Sequence, residues 1–241
     1  MNNSYFDKYV SNYDMNDPDI NYKYYHSYRV MNNMELLARC MNIPVKDVEL
    51  AKYIGLLHDI GRFEQDKLYN SFLDKEMDHG DYGVEVLIKE NILSHFDIDT
   101  KDYEVVYKAI KNHNKYQIED NLTPRELYFS KLIRDADKLD ILYALSNEEL
   151  KPIIYEDDTD INIDIKESFF NNKQIKRTNK ETRNDNIVVV FSFLFDINYE
   201  ITLDIIKSNK YCDKFYQRLK NKDLFKQYID YINKYINERI D

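Results

Sequence analysis

Apolar residues in this chain recur at steps of three and four. Val30, Met34, Leu37 and Met41 do so near one end, and Phe215, Leu219, Leu224, Tyr228, Ile232 and Ile236 keep helical spacing near the other. That period marks one buried face of an α-helix. A sheet would ask for alternation by two and for turns rich in glycine and proline. The 241 residues hold four glycines and four prolines, so that turn chemistry is scarce. An all-α fold is predicted: a helical bundle with a C-terminal helical extension.

The first helix is predicted over about Tyr22 to Met41, with His26 one turn before Val30 on the same face. Asn42-Ile43-Pro44 ends it, because proline disfavours helical geometry in the residue before it. A second helix runs from Val45 through Leu50, Ala51, Ile54 and Leu57 to His58-Asp59, with Gly61 read as its stop. Asp78 is a candidate N-cap for a helix carrying His79, Val84 and Leu87. Another runs from Tyr103 to His113. Thr123-Pro124, with Glu126 in the capping-box position, opens a further helix through Ile133 and Asp137 towards Leu145. The acidic, irregular stretch from Tyr155 to Ile165 reads as a connection. It suggests a core over residues 1–150 and an extension over 151–241 packed on that core. Between Ile187 and Ile206 the Val188-Val189-Val190 run favours a strand, but Phe191, Phe195, Leu203 and Ile206 fit a helix, and helix is the reading taken.

The net charge of −10 and the absence of a basic stripe argue against a nucleic-acid polymer as partner. A small anion remains compatible, since a bound cation dominates its local field. Cys40 and Cys212 give no disulfide framework. Met1 to Val10 has no signal-peptide core, and the apolar run from Ile187 to Phe195 is too short to span a bilayer, so no membrane association and a cytoplasmic location are expected. Oligomerisation is compatible with the sequence. The 22 tyrosines follow a general compositional bias and are read as core and surface aromatics.

Chemistry concentrates at His58-Asp59, an imidazole and a carboxylate at the end of an apolar helix. Burying that charge is costly without a cation, and the mixture suits manganese, iron, nickel or zinc. Alone, such a pair is far more often a satisfied helix-end histidine than a metal site. Its company changes the weight: His26 lies upstream on an inward face, and Arg134-Asp135-Ala136-Asp137-Lys138-Leu139-Asp140 places three acids in a helix downstream.

The ordered set His26, His58-Asp59, Asp137 resembles the HD superfamily of metal-dependent phosphohydrolases, over about residues 20–145. The resemblance implies an all-helical core and one divalent metal ion (Mn, Fe, Ni, Mg or Zn) held by His26, His58, Asp59 and Asp137. Asp137 fits the family's Ala-Asp-basic-Leu pattern better than Asp135, which points to another side of the helix. Asp78-His79-Gly80, and Asn112-His113-Asn114-Lys115, resemble segments that add histidines in two-metal branches; Asn114 stands where a relative often has another histidine. The Gly-Tyr-Pro motif of the cyclic-dinucleotide branch is missing from the sequence, and His79 with His113 is closer to the branch that cleaves diadenosine tetraphosphate. The string His58-Asp59-Ile60-Gly61-Arg62-Phe63 is most similar to a bacterial group of uncharacterised HD hydrolases.

What this implies is hydrolysis of a small phosphoester, a nucleotide foremost, by metal-activated water. Asp59, His79 and His113 are the implied catalytic residues, the two histidines facing the phosphate or a weaker second metal. Arg29, Arg62, Lys115 and Lys138 are candidate phosphate clamps. His95 has no motif and reads as a helix-end histidine. The alternative from another class is a non-catalytic module that binds metal or nucleotide as a sensor. A structural zinc site is disfavoured by the absence of a cysteine ligand.

Overall fold

The computed structural model describes residues 4–72, 74, 77–147, 155–176 and 181–240. By contacts the chain divides into two compact units, Met1–Asp137 and Lys138–Asp241. The division expected at residue 150 lies outside the described residues. Among the described residues there is no β-strand, and no helix is long and apolar enough to cross a membrane.

The first unit opens with α1 (Ser4–Val10), followed by α2 (Pro18–Cys40), α3 (Val45–Leu57), α4 (Ile60–Tyr69), α5 (His79–Lys89), two short 3₁₀ turns, and α6 (Tyr103–Asn112). Helix α7 (Pro124–Ser146) begins in this unit and runs past its boundary. Helix α2 starts a turn earlier than predicted: Asp17 accepts from the backbone N–H groups of Asp19 and Ile20, and Pro18 takes the first-turn position where no amide donor is needed. It packs along α3, burying Val30, Met34 and Leu37 with Ile54 and Leu57. Phe6 of α1 is buried beside the rings of Tyr24, Tyr28 and Phe63, and both tyrosine hydroxyls donate to Asp7 Oδ1, at 3.0 and 2.5 Å.

Gly61 does not stop the second helix. The chain turns at His58-Asp59 and Gly61 enters the first turn of α4. Its role is closeness: a Cβ there would lie 2.4 Å from the His79 carbonyl oxygen and 2.8 Å from the Gly83 nitrogen. A helix pair that approaches so tightly brings the start of α5, and His79 with it, against the turn that carries Asp59.

The second unit contains α8 (Ile163–Phe170), α9 (Arg183–Ser192), a 3₁₀ turn, α10 (Glu200–Ser208), α11 (Tyr211–Arg218) and α12 (Lys222–Ile240). The Ile187–Ile206 stretch is helical, as predicted. Thr182 and Asp185 form a capping box, and Ile187, Val188, Val189 and Phe191 are buried with Leu203 and Ile206. Capping and a shared core outweigh the modest strand preference of three valines. Helix α12 covers this core with Phe225, Tyr228, Ile232 and Ile236.

A candidate metal centre

Four of the candidate ligands stand at helix ends, and two, His26 and Asp137, project from within long helices. His26 faces inward from α2, His58 and Asp59 form the turn between α3 and α4, His79 opens α5, His113 closes α6, and Asp137 comes from α7. His26, His58, Asp59, His79 and His113 are buried, while Asp137 is 19% exposed.

Asp59 divides the group. Its Oδ2 lies 3.4 Å from both His26 Nε2 and His58 Nε2, and Asp137 Oδ1 lies 3.2 and 3.8 Å from the same two nitrogens. Its Oδ1 lies 3.3 Å from His79 Nε2 and 3.4 Å from His113 Nε2. Donors that share one ion at ordinary metal–ligand lengths stand about 3.0–3.4 Å apart; Asp59 meets that spacing with His26 and His58, and Asp137 meets it with His26 but stands further from His58. His26, His58 and Asp137, and separately His58, Asp59 and His113, are sets that can hold an ion.

The histidine rings are held through their far nitrogens. His58 Nδ1 donates to the Gly55 carbonyl at 2.8 Å and His113 Nδ1 to that of Ile110 at 2.6 Å, each within its own helix end. His79 Nδ1 meets Asp74 Oδ1 at 2.7 Å. With those protons placed outward, Nε2 of each ring offers a lone pair inward. His79 Nε2 and His113 Nε2 then face each other at 3.0 Å, an arrangement that favours positive charge beside them. Burial pushes the His113 imidazole down to about 4, despite its bond to Asp59, so the ring is neutral near pH 7. Burial works to raise Asp59 and Asp137, but Lys23 and His58 beside Asp59, and His26 beside Asp137, hold both carboxyls well below the usual range.

The candidate clamps scatter. Arg62 stays near: its Nε is 3.9 Å from Asp59 Oδ1 and is buried with no hydrogen-bond partner. Lys115 is held by Asp78 and Asp81 at 2.6 and 2.7 Å, Lys138 by Asp196 at 2.7 Å, and Arg29 lies over the Tyr22 ring. Asp135 is buried, and its neighbour Arg134 donates to the carbonyls of Asn112 and Lys115. Asn114 donates to Asp78 Oδ1 at 3.0 Å. His95 stacks on Tyr5.

Sequence reasoning missed two residues. Lys23 places its Nζ 2.6 Å from Asp59 Oδ2; it stands three residues before His26, a helical neighbour that the spacing could have indicated. Asp74 had no local signal, because its partners come from α4 and α5.

A helical domain whose helices converge four histidines and two aspartates has the makeup of a metal-binding hydrolase domain. Residues 24–142 match the family model of the HD domain, so this part of the chain is an HD domain, of a family whose members are mostly metal-dependent hydrolases. Comparisons with curated proteins and with solved structures gave no match.

Proposed function

We propose that the protein is a metal-dependent phosphohydrolase acting on a small phosphoester, with a nucleotide as the foremost class. His26, His58, Asp59 and Asp137 hold the divalent ion, and His79 and His113 serve the phosphate or a weaker second ion. The observation that carries this reading is the Asp59 carboxylate, with one oxygen towards His26 and His58 and the other towards His79 and His113. The bound ion supplies Lewis acidity and a water of lowered pKa.

The chain's own groups do the rest. Asp59 and Asp137 remain ionised and orient their oxygens inward. Neutral His113, with its Nε2 lone pair turned inward, is able to take a proton from attacking water. The unpartnered Nε–H of Arg62, with Lys23 close by, offers donors to phosphoryl oxygens. The net charge of −10 supports a small substrate over a polymer.

The test is a turnover screen with nucleotides, diadenosine polyphosphates and simple phosphoesters across Mn²⁺, Fe²⁺, Ni²⁺, Mg²⁺ and Zn²⁺. Metal-dependent release of phosphate or nucleotide that is lost in Asp59→Asn is expected. Tight metal binding with no turnover across the panel would replace the enzyme by a binding module.

A further inference from the structure

His58 and His113 are anchored by carbonyls of their own helix ends, whereas His79 is anchored by side chains from outside its helix. Two groups compete for its Nδ1: Asp74 Oδ1 at 2.7 Å and Asn114 Nδ2 at 3.2 Å. They demand opposite tautomers. Asp74, a carboxylate, needs a proton on Nδ1; the amide of Asn114 would donate to a bare Nδ1 and send the proton to Nε2. The shorter contact is to the charged acceptor, and charge-assisted bonds are roughly twice as strong as neutral ones. Asn114 also has Asp78 Oδ1 to donate to. Nδ1 therefore carries the proton, and the lone pair at Nε2 faces Asp59.

The same Asp74 oxygen accepts from Arg62 Nη1 at 3.0 Å and Gln65 Nε2 at 3.1 Å. Arg62 Nη1 and Gln65 Nε2 in turn reach the carbonyls of Phe72 and Met77, at 2.6 and 2.9 Å. One face of α4 thus grips the backbone on both sides of Asp74. With Nη1 held there, the unpartnered Nε of Arg62 is left beside Asp59.

We propose that Asp74 is a positioning residue: through one oxygen it fixes the tautomer of His79 and the pose of Arg62, so the second half of the site and its phosphate donor are set together. This rests on the metal-dependent reading above and adds to it a control point outside the ligand set. Asp74 itself touches no reacting atom.

The experiment uses the full chain, wild type and Asp74→Ala, with Asp74→Asn and Asp74→Glu as companions. Imidazole ¹⁵N spectra of metal-free protein are expected to show His79 protonated at Nδ1 in the wild type and shifted to Nε2 in Asp74→Ala, where Asn114 becomes the remaining partner. Titration with Mn²⁺ alone is expected to show the weaker of two sites loosened about 10–100-fold, with the tighter site unchanged. Asp74→Glu should restore part of each effect. An unchanged His79 tautomer with unchanged Mn²⁺ affinities overturns the proposal. A wild type that binds no Mn²⁺ overturns the metal reading instead, while the ¹⁵N spectra still decide the role of Asp74.

Discussion

The tight approach of α4 to α5 can be tested with two glycines that sit in the same contact. An alanine Cβ at Gly61 would meet three backbone atoms, His79 O at 2.4 Å, Gly83 N at 2.8 Å and Gly83 Cα at 3.1 Å. Ordinary contact begins at 3.4 Å, so the helices must separate by about 1 Å (3.4 − 2.4), and no side chain is available to rotate away. Overpacking of this kind costs about 1–3 kcal/mol. The better helix propensity of alanine returns at most about 1 kcal/mol, less in a first turn. Gly61→Ala is therefore expected to destabilise by about 1–2 kcal/mol. At Gly83 the nearest atoms to an added Cβ lie at 3.5, 3.5 and 3.6 Å, and no glycine has a positive φ. Gly83→Ala should stabilise by roughly 0.5–1 kcal/mol. Urea unfolding at constant m-value measures both. If the two variants shift stability in the same direction, the close backbone contact is not what requires glycine at position 61. Because His79 supplies the clashing oxygen, Gly61→Ala should also loosen the weaker Mn²⁺ site.

His113→Ala is expected to keep the metal held by His26, His58, Asp59 and Asp137 while losing most turnover; loss of all metal by elemental analysis would contradict that division. Adding Mn²⁺ at 100 times its dissociation constant should raise stability by about 2.7 kcal/mol, read as a shift in the urea midpoint. In chelator, stability should fall as pH drops from about 6.5 to about 4. His113 has its folded value pushed down to about 4, so the unfolded chain takes up the proton first and gains by it. The 2.5-unit difference (6.5 − 4) sets an upper bound of about 3.4 kcal/mol. Asp59 and Asp137, held low, contribute above the ordinary carboxylate range and lose that contribution only at more acid pH. A flat profile from pH 6.5 to 4, or one unchanged in His113→Ala, would rule out the His113 assignment.

Local signals carried much of the fold. The Thr123-Pro124-Glu126 cap marked the start of α7, where Glu126 accepts from the Thr123 amide at 2.7 Å, and Asp78 capped α5 as its position suggested. Asp17-Pro18 carried the same kind of signal and was passed over, which set the predicted start of α2 too late. Gly61 was misread for a different reason. Glycine after an apolar helix usually reports a left-handed end, whereas here it reports a neighbour distant in sequence, and no local pattern carries that. In the site, the resemblance to the HD superfamily implies His26, His58, Asp59, His79, His113 and Asp137, and the structure brings these six together. The clamps were less legible, because a lysine's destination depends on which carboxylate the fold brings near: Asp78 and Asp81 for Lys115, Asp196 for Lys138.

His58 and His113 each take their orientation from a carbonyl three residues back, Gly55 and Ile110. Each is therefore a self-contained cassette: one short stretch of helix end encodes the ligand, its tautomer and its aim. Such a unit draws the anchor of its Nδ1 proton from its own helix end, with no side chain from elsewhere needed to hold that proton. A designer building an imidazole site from nothing would begin with these two peptides. His79, by contrast, takes its aim from Asp74, so a change at position 74 reaches one ring and leaves the anchors of these two untouched.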